Sequence, residues 1–485
     1  MIAVATAAQT RAAEKIVFAN GVSPIELMGL VGDFIAERLS VYKNVLIVCG
    51  RGNNGGDGYA TAIKLKEKGI AVTLLTMSDA GTESSSFYNN KCAEIGVKCI
   101  YRYRYVNFSD YDAILDCLYG IGFHGSFSEE EKELVTLINA SKAVVISADV
   151  PSGLCSDNGI ANVAVKADEV YTVGCSKFGL YLNSGKDYAK TITVIPLNFP
   201  YDNMSYLIEP EDCAEFLAER NNDSYKGVYG YIAIFGGSKN YSGAAKLAAL
   251  ASASMYSGSG VVRLAVPSPV INWIAPTIVE TTLFDENDYI NVLHGVASVG
   301  IGCGWGREED RTNLLNKILQ HCNCPIVLDA DGLYAWKKLG CPAYENLIIT
   351  PHYSEMAYLC DISVAEIRSD PVGFSRLFSN NNHCITVLKG PSTVITDGSN
   401  VFITNRGCAG MATAGSGDVL LGIITSVVGQ KFKSILKSVA YATVLNGVSG
   451  EIAQNNFTDI GMTSMDTVQS IRPAIKFLRN YCGIN

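Results

Sequence analysis

Short apolar runs alternate with helical patterns along the whole chain, which predicts an α/β protein with parallel sheets. The first half opens with a predicted buried strand at 45–49, a helix at 59–68 and a strand at 71–76. Such strand–helix–strand units place a parallel sheet between helices. Further strands are predicted at 113–117, 143–150, 169–173, 231–235, 261–266, 297–301, 326–328, 347–350, 385–388 and 394–395, and an alanine-rich helix at 243–254.

The alternation of apolar runs and helical patterns is interrupted between the two halves of the chain. The stretch 196–211 carries Pro196, Pro200 and Pro210 among polar residues, as interdomain segments often do. A length of 485 residues is also typical of two domains. We therefore predict one α/β domain at 1–208 and a second at 209–485, without an internal repeat between them.

Composition narrows the possible partners. The chain is 48% hydrophobic and 18% charged, as ordered globular proteins are, and its net charge of -9 argues against nucleic acid. The longest apolar runs, such as 419–428, are too short for a bilayer, so we expect no membrane partner. The start lacks the pattern of a signal peptide.

The cysteines favour a reducing compartment. There are 15, without any CxxC pair, and together with the absent signal pattern they predict reduced thiols and a cytoplasmic location. His321, Cys322 and Cys324 could hold a metal, but no second pair of ligands stands nearby in the sequence.

The loop after the first strand has two possible interpretations. Gly50, Gly52 and Gly55 form GxGxxG, and Asp79 follows at the distance of a dinucleotide fingerprint. However, Asn53, Asn54 and Asp57 also lie in this loop, and carboxamides and carboxylates favour hydroxyls, amides or a cation over a bare phosphate cradle. A tight turn without a ligand would also explain the glycines.

Two further loops follow strands of the same predicted sheet. One runs from Asp116 to Ser126, and the other is Asp149-Val-Pro-Ser-Gly153. Ligands of parallel sheets bind outside the carboxyl ends of the strands, so we expect the three loops to meet. Oxygen atoms of Asn54, Asp116 and Ser152 would then suit a hard cation. Alternatively, the two aspartates only cap turns.

The most specific segment is 408–424, CAGMATAGSGDVLLGII. Its small residues leave backbone N–H groups uncovered, and a buried helix is predicted from Asp418 onward. The positive end of such a helix favours a phosphate. We expect Asp418 to be ionised at neutral pH and able to take a proton from a substrate hydroxyl. Alternatively, the segment has only a structural role, as a glycine turn with an aspartate cap.

Two other sites in this half are chemically suggestive. His352 and Glu355 stand at i and i+3 just after a predicted strand, where they could contact a polar ligand. Lys389 begins a glycine turn, where its ammonium could meet a phosphate or simply be solvated.

Taken together, these motifs resemble a known pair of domains. The three N-terminal loops resemble the NAD(P)H-hydrate epimerase domain, whose signatures are NNGGDG, D-x-x-x-G-x-G and D-x-P-S-G. The second half resembles the ADP-dependent NAD(P)H-hydrate dehydratase, a ribokinase-like protein, through FGGSKNYSGAA, IGCGWG, LDADGL, TPHYSEM, LKGPSTVI and GMATAGSGDVLLG. The resemblance runs from near residue 3 to near residue 475. It implies a Rossmann-like three-layer parallel sheet domain followed by a ribokinase-like α/β domain.

The resemblance also implies a role for particular residues. In the epimerase domain the hydrated cofactor would be held by Asn53, Asn54, Gly55, Gly56, Asp57, Gly120, Ile121, Gly122, Phe123, His124, Gly125, Ser126 and Asp149, with a potassium ion on Asn54, Asp116 and Ser152. In the dehydratase domain Ala244, Gly304, His352 and Asp418 would face the hydrated cofactor, and Lys389, Gly390, Pro391, Ser392, Thr393 and Gly417 would hold the nucleotide.

The expected function is repair of hydrated nicotinamide cofactors. The first domain would interconvert R and S epimers of NADHX and NADPHX, with Asp149 as the candidate for proton transfer. The second would dehydrate the S form with ADP or ATP and Mg²⁺, with Asp418 as base, releasing phosphate, and AMP when ADP is used. We also expect a homo-oligomer. The alternative is a ribokinase-like kinase of a small vitamin precursor, fused to a non-catalytic NAD(P)-binding domain.

The chain departs from the family pattern in two functional stretches. Epimerase domains commonly read LMENAG near the start, whereas residues 27–32 are LMGLVG, which lacks a carboxylate and an amide. Near the end, Asn446 precedes Gly447 where the dehydratase usually has His-Gly.

Overall fold

The chain forms two compact units in the computed structural model. The model describes residues 1–202, 205–252, 256–267, 275, 277–283 and 287–484. The N-terminal unit is Ile2–Met204 and the C-terminal unit begins at Ser205 and ends at Asn485.

The N-terminal unit alternates strands and helices. Its strands are β1 Ile2–Ala5, β2 Asn44–Cys49, β3 Ala71–Thr76, β4 Lys98–Ile100, β5 Ala113–Cys117, β6 Val144–Ala148, β7 Ala167–Val173, β8 Ser176–Lys177 and β9 Ala189–Ile195. Its helices are α1 Ala7–Ala19, α2 Pro24–Leu39, α3 Asn53–Glu67, α4 Glu83–Glu94, α5 Glu129–Ala140 and α6 Gly185–Tyr188.

Seven of these strands form one parallel sheet with helices on both faces. The strand order is β4-β3-β2-β5-β6-β7-β9. Side chains of β2 alternate between the faces: Val45 and Ile47 pack with α2 and α3, whereas Leu46 and Val48 pack with α5. The three-layer arrangement predicted from the sequence is therefore present.

The strand order reverses next to β2. The chain passes from β2 outward to β3 and β4, then returns to β5 on the other side of β2, so the loops after β2 and β5 separate from each other. Such a switch point leaves a crevice at the carboxyl ends of the strands. β1 lies outside this sheet and pairs in parallel with β8, with Ala5 opposite Lys177.

The C-terminal unit is built from strands β10 Ser205–Leu207, β11 Tyr231–Phe235, β12 Val261–Val266, β13 Ile278–Thr282, β14 Ser298–Ile301, β15 Ile326–Leu328, β16 Leu347–Ile349, β17 Cys384–Leu388, β18 Thr393–Thr396 and β19 Val401–Thr404. Its helices are α7 Ser242–Ser252, α8 Asp288–Leu293, α9 Glu309–His321, α10 Asp331–Lys338, α11 Tyr353–Cys360, α12 Val364–Ser369, α13 Pro371–Asn382, α14 Ser416–Gly429, α15 Ile435–Phe457 and α16 Ser464–Tyr481.

The strands of this unit run in the order β13-β12-β11-β14-β15-β16-β17-β18-β19-β10. They are parallel except where β18 runs antiparallel to β17 and β19. A large apolar core joins the sheet to α7, α14, α15 and α16. Here too the order reverses, between β11 and β14, which places the loops after those strands beside a crevice.

Most of the predicted elements are confirmed, with shifts of one or two residues at the ends of strands. The main error concerns the first motif: α3 begins at Asn53, so Asn53, Asn54 and Asp57 lie on the first turns of a helix instead of in a loop. Helix α1 was not predicted, although Thr6 and Gln9 form its capping box. Residues 253 and 254 of the predicted alanine-rich helix lie outside the described residues.

Among the described residues no single helix is long and apolar enough to cross a membrane, although α1 and α2, bent by 117°, would reach that length and composition as a pair.

Candidate active sites

A cavity of about 430 Å³ lies at the switch point of the N-terminal sheet. The loops after β2, β5 and β6 meet there, as predicted from the sequence. Among the predicted substrate ligands, those that line the cavity are Asn53, Asn54, Asp57, Gly120, Ile121, Gly122 and Asp149. Helices α1 and α2 close the other side with Arg11, Glu14, Phe18, Pro24, Leu27, Met28 and Val31.

The glycines of the first motif allow close packing at this cavity. A Cβ on Gly55 would lie 1.9 Å from the carbonyl oxygen of Gly50, and one on Gly56 would lie 2.5 Å from the Met28 side chain. The start of α3 can therefore approach its neighbours only without side chains at these positions. Asn54 beside them keeps a buried Nδ2 without a hydrogen-bond partner in the described part of the chain. This amide is available to a ligand.

Asp149 is held by a buried lysine that no motif of the sequence indicated. Nζ of Lys177 donates a hydrogen bond of 2.5 Å to Oδ1 of Asp149, and the lysine side chain is fully buried. The backbone N–H groups of Ile121 and Val173 donate to the same carboxylate at 3.1 and 3.3 Å. Asp149 itself has a left-handed φ of +66°. A strained backbone and a buried ion pair thus fix this carboxylate at the cavity wall.

Asp116 is completely buried behind the cavity. Its carboxylate accepts hydrogen bonds from Ser152 Oγ at 2.6 Å, Ser152 N at 2.9 Å, Ser147 Oγ at 2.8 Å and Leu118 N at 3.2 Å. Burial raises the pKa of Asp116, and these hydrogen bonds oppose the rise. All four donors are neutral, and no cation pairs with Asp116 among the described residues. Among the described residues of the N-terminal unit, no positively charged side chain therefore pairs with the Asp116 carboxylate.

Two more acidic side chains face the cavity. Burial raises the pKa of Glu14, and the charge of Asp149 raises it further, against Lys177 and Arg11. Burial likewise raises the pKa of Asp57 well above its usual range, with contributions from Asp149 and Glu14. Glu14 lies on the unpredicted helix α1, and only the capping box at Thr6 and Gln9 signalled that helix in the sequence.

The segment after β5 serves two cavities. Gly120, Ile121 and Gly122 line the cavity described above, whereas Phe123, His124, Gly125 and Ser126 line a second one of about 480 Å³. Two members of this second group contact wall residues of the first cavity: Nε2 of His124 lies 3.4 Å from Nη2 of Arg11, and the ring centroid of Phe123 lies 5.2 Å from that of Tyr119.

The altered LMGLVG stretch does not remove groups from the cavity of this chain. Leu27, Met28 and Val31 line the cavity. In contrast, a Cβ at Gly29 would lie 2.7 Å from the hydroxyl of Tyr88, and Leu30 is 50% exposed. Gly29 and Leu30, where the family has a carboxylate and an amide, are therefore not among the residues that line this cavity.

In the C-terminal unit, α14 begins at the glycine-rich segment. Gly415 caps it with φ +94°, and Ser416 and Gly417 form the first turn together with Asp418. The hydroxyl of Ser416 is buried without a partner in the described residues. A buried hydroxyl without a partner and a helix N-terminus together favour an anion here.

A buried charge cluster surrounds this helix end. Nζ of Lys389 lies 2.5 Å from Oδ1 of Asp329 and 3.7 Å from Oε2 of Glu355. Asp329 is 2% exposed and Glu355 6%. A Cβ on Gly417 would lie 3.3 Å from Asp329 and 3.5 Å from the Lys389 ammonium, so the cluster sits directly beneath the glycine turn. The solvated alternative for Lys389 is therefore wrong.

Asp418 is not the simple ionised carboxylate that we expected from the sequence. Burial raises its pKa to about 7, and the charges of Asp329 and Asp331 add to the rise while Lys389 opposes it. The expectation failed because it considered only the helix end, whereas two neighbouring carboxylates come from other segments. A pKa near neutrality is suited to a group that takes up and releases a proton.

His352 and Glu355 cap α11 and reach the same cluster. The Nδ1 of His352 accepts from Ser354 N at 3.1 Å and Glu355 N at 3.2 Å, while Glu355 accepts from His352 N at 2.9 Å. Because Nδ1 is an acceptor, the neutral ring carries its hydrogen on Nε2. The His352 side chain is 53% exposed, and its Nε2 lies 3.5 Å from Oε1 of Glu355.

Gly304 lines a separate cavity of about 640 Å³, and Ala244 lies next to Gly304. Gly304 has φ +56°, and a Cβ there would lie 2.7 Å from Tyr241 and 3.0 Å from Ala244. Gly304 lines the cavity together with Asp331, whose charge acts on Asp418. The predicted substrate contacts of this unit therefore lie along one edge of the sheet.

The predicted nucleotide turn joins β17 to β18. A Cβ on Gly390 would lie 3.0 Å from the ring of Tyr353, and Ser392 donates to Oδ1 of Asn405 at 3.0 Å. Lys389 is the member of this turn that reaches the charge cluster. Pro391 lies within the turn, and Thr393 is the first residue of β18.

The remaining sequence candidate for a metal is weak. Sγ of Cys322 lies 3.3 Å from Sγ of Cys324. However, no group of three or more His, Cys, Asp or Glu side chains in the described ranges could hold a metal ion. No disulfide forms among the described cysteines.

Comparison with known proteins identifies both halves. Residues 232–473 match the family model of NAD(P)H-hydrate dehydratase, and residues 28–179 match that of the YjeF-related protein N-terminus. The C-terminal unit has the fold of a ribokinase-like superfamily protein from Enterococcus faecalis, with TM-score 0.52, 22% identity and 58% of this chain and 99% of that chain covered. An ADP/ATP-dependent NAD(P)H-hydrate dehydratase from Bacillus subtilis has the same fold, with TM-score 0.50, 22% identity and 56% and 99% covered.

Relatives along the full length combine the two halves. A bifunctional NAD(P)H-hydrate repair enzyme of Dictyoglomus turgidum is 30% identical over 96% of this chain and 96% of its own length. That of Thermofilum pendens is 31% identical over 93% and 90%. The predicted enzyme class and ribokinase-like fold are thus confirmed. The chain belongs to the family of bifunctional NAD(P)H-hydrate repair enzymes, which join an epimerase domain to a dehydratase domain.

Proposed function

We propose that the C-terminal unit dehydrates S-NADHX and S-NADPHX with ADP or ATP, and that the N-terminal unit converts the R epimers into the S epimers. The observation that carries this proposal is Asp418, whose pKa of about 7 makes it a base at neutral pH, at a glycine-lined helix mouth beside Lys389.

In the hydrated cofactor, C6 of the nicotinamide ring carries a hydroxyl. In the dehydratase step, Asp418 would take the proton of this C6 hydroxyl. The hydroxyl oxygen then attacks the terminal phosphorus of the nucleotide, and the P–O bond to the rest of the nucleotide breaks. The lone pair of ring N1 expels the phosphate from C6, and loss of a proton from C5 restores the C5–C6 double bond. Lys389 and the N–H groups of residues 415–417 would neutralise the charge on the phosphoryl group.

We assign the nucleotide to the turn Lys389, Gly390, Pro391, Ser392 and Thr393 and to Gly417. The Bacillus subtilis neighbour is an ADP/ATP-dependent enzyme that was co-crystallised with ATP and Mg²⁺, which supports the same nucleotides here. Mg²⁺ would arrive on the phosphates of the nucleotide, as it usually does in nucleotide-dependent enzymes. Bound there, it would neutralise phosphate charge. We place the hydrated cofactor against Ala244, Gly304, His352 and Asp418.

In the epimerase step, the hydrated ring would occupy the cavity of about 430 Å³. Asn53, Asn54 and Asp57 and the backbone of 120–122 would hold it, and Asp149 would accept a proton near C6. Support comes from the fixed carboxylate of Asp149 and the free amide of Asn54. The lining from Phe123 to Ser126 would contact a more distant part of the dinucleotide.

We infer a potassium site at Asn54, Asp116 and Ser152. The carboxylate, hydroxyl and carboxamide oxygens fit a hard cation in kind. The fully buried Asp116 carboxylate has only neutral partners, and a bound cation would supply the missing positive charge. Potassium chloride, but not tetramethylammonium chloride, should therefore raise the melting temperature, and Asp116→Asn should abolish that difference.

The test of the main proposal mixes the protein with hydrated NADH and each nucleotide and follows the absorbance of the reduced ring. Recovery of NADH with release of inorganic phosphate is the expected result. A stable phosphoester without NADH would instead indicate the kinase alternative. No change in either hydrate epimer would contradict both halves of the proposal.

Two expectations about the whole protein stay predictions. We propose a homo-oligomer, which light scattering after size-exclusion chromatography would detect. We also propose a cytoplasmic location, supported by cysteines that form no disulfide among the described residues. Cell fractionation measures it directly.

A further inference from the structure

Three carboxyl groups face the N-terminal cavity, and they differ in their partners. Asp149 is bound to Lys177 and to backbone N–H groups. Glu14 and Asp57 also line the cavity, yet in the part of the chain that the structure describes neither carboxyl forms a hydrogen bond or an ion pair. Half-buried polar groups without partners are uncommon and indicate a ligand.

Glu14 projects from one face of helix α1. Arg11, Glu14 and Phe18 are spaced at i, i+3 and i+7 and all line the cavity. Arg11 is anchored by its hydrogen bond of 3.0 Å to the carbonyl oxygen of Ile121. The neighbouring wall is apolar, with Leu27 and Met28. Glu14 therefore stands as a free carboxyl in a mostly apolar wall, across from the loops that end the strands.

We propose that Glu14 is a catalytic residue of the epimerase, the general acid that donates a proton to the C6 hydroxyl of the hydrated nicotinamide. This inference rests on the epimerase half of the proposed function and names a role that no motif of the sequence indicated. It also assigns the two kinds of carboxyl different tasks, with Glu14 as acid and Asp149 as base.

Protons and electron pairs are conserved in this step. The Glu14 carboxyl gives its proton to the C6 oxygen, the C6–O bond breaks, and its electron pair leaves with water. The lone pair of N1 forms an N1–C6 double bond, so the ring becomes cationic while Glu14 becomes anionic. Water then adds to C6 from the opposite face, the π electrons return to N1, and the added water gives a proton to Asp149. Exchange with solvent returns a proton to Glu14 and removes one from Asp149.

The electrostatics of the cavity support this division. Burial keeps the pKa of Glu14 above its ordinary value, and Asp149 adds to that effect, whereas Lys177 and Arg11 reduce it. Asp57, whose pKa is also raised, stands near both carboxyls. The oxygens of Asp149 already accept hydrogen bonds, Oδ1 from Lys177, Thr172 and Val173 and Oδ2 from Ile121, whereas the Glu14 carboxyl has no such partner among the described residues.

The test uses the full chain and purified R-NADHX, with the two epimers separated by chromatography. Glu14→Gln should lower the rate of epimerisation above the uncatalysed background by about 10²–10⁴-fold, as loss of a general acid does. Glu94→Gln, the same substitution at an exposed position at the end of α4, should keep the wild-type rate. Glu14→Asp should keep part of the rate.

The dependence on pH separates catalysis from folding. A general acid must be protonated, so the wild-type rate should fall as pH rises through the raised pKa of Glu14. Glu14→Gln should lose this alkaline limb, and Glu14→Asp should retain it even if Glu14→Gln fails to fold. Dehydration of S-NADHX by the same polypeptide should be unchanged in all variants.

The possible results are distinct. If Glu14→Gln epimerises at the wild-type rate, Glu14 is not the general acid, but the epimerase proposal stands. The same conclusion follows if Asp57→Asn loses the activity and Glu14→Gln keeps it. A wild-type protein no faster than the uncatalysed reaction would overturn the epimerase proposal and this inference together.

Discussion

The ammonium of Lys389 lies 2.5 Å from the carboxylate of Asp329, although the two residues are 60 positions apart in the sequence. Asp329 is almost completely buried, and its charge also contributes to the raised pKa of Asp418. One buried carboxylate thus holds the cation expected to face the phosphates and adjusts the base expected to face the hydroxyl. Asp329 is therefore a positioning residue for both groups.

The pH profile of the dehydratase should report this arrangement. Asp418 must be ionised to act as base, so kcat should rise as pH increases through about 7. Asp329→Asn removes a negative neighbour, which lowers the pKa of Asp418 and moves the acid limb of kcat to lower pH. Stopped-flow absorbance of NADH recovery measures both profiles. An unmoved limb would contradict the role of Asp329.

Asp418→Asn should abolish nucleotide-dependent recovery of NADH, with a loss of about 10²–10⁴-fold, because the C6 hydroxyl loses its base. Asp223→Asn, which changes an exposed aspartate of the same unit, should have no effect. Epimerisation in the N-terminal unit should also persist in Asp418→Asn. Full dehydration by this variant would show that another group removes the proton.

Asp418 should also make stability depend on pH. Its folded pKa of about 7 lies above the ordinary value of about 4, so the folded state holds the proton more tightly. Its stabilising contribution is complete below about pH 4 and is lost as pH rises through about 7. Asp418→Asn should therefore raise the melting temperature relative to wild type more at pH 8 than at pH 4, as scanning calorimetry can measure. An equal difference at both pH values would contradict the raised pKa.

His352 should have a measurable role in both folding and binding. His352→Ala removes the acceptor for Ser354 N and Glu355 N, so it should cost about 1 kcal/mol of stability and raise KM for the hydrated cofactor. Ser363→Ala removes the cap of α12 and is the matched control. It should lower the melting temperature similarly but leave KM unchanged. Equal KM values in both variants would limit His352 to capping.

Gly120 should be essential for epimerisation because its surroundings leave no room for a side chain. A Cβ there would lie 2.8 Å from Oδ2 of Asp149 and 3.2 Å from Oδ1 of Asn54. Gly120→Ala should therefore reduce the epimerase rate by displacing two groups that are expected to face the substrate. Gly122→Ala, whose methyl would meet no heavy atom within 4 Å, should cost less. The epimer ratio after a fixed time compares the two variants.

The strands and the loops that meet at the ends of the strands were predictable from the amino-acid sequence alone. These features depend on local hydrophobic periodicity and on glycine positions, which are read over a few residues. The motifs also predicted roles for Asn54, Asp149, Lys389 and Asp418, and those roles stay predictions.

The proton affinity of those groups and the residues that contact them became known only from the tertiary structure. Lys177 pairs with Asp149 across 28 positions, Asp329 reaches Lys389 across 60, and Glu14 arrives on a helix without a functional motif. The proton affinity of Asp418 follows from burial and from charges on other segments. Such quantities depend on distances in space and on access to solvent, which local sequence patterns do not contain.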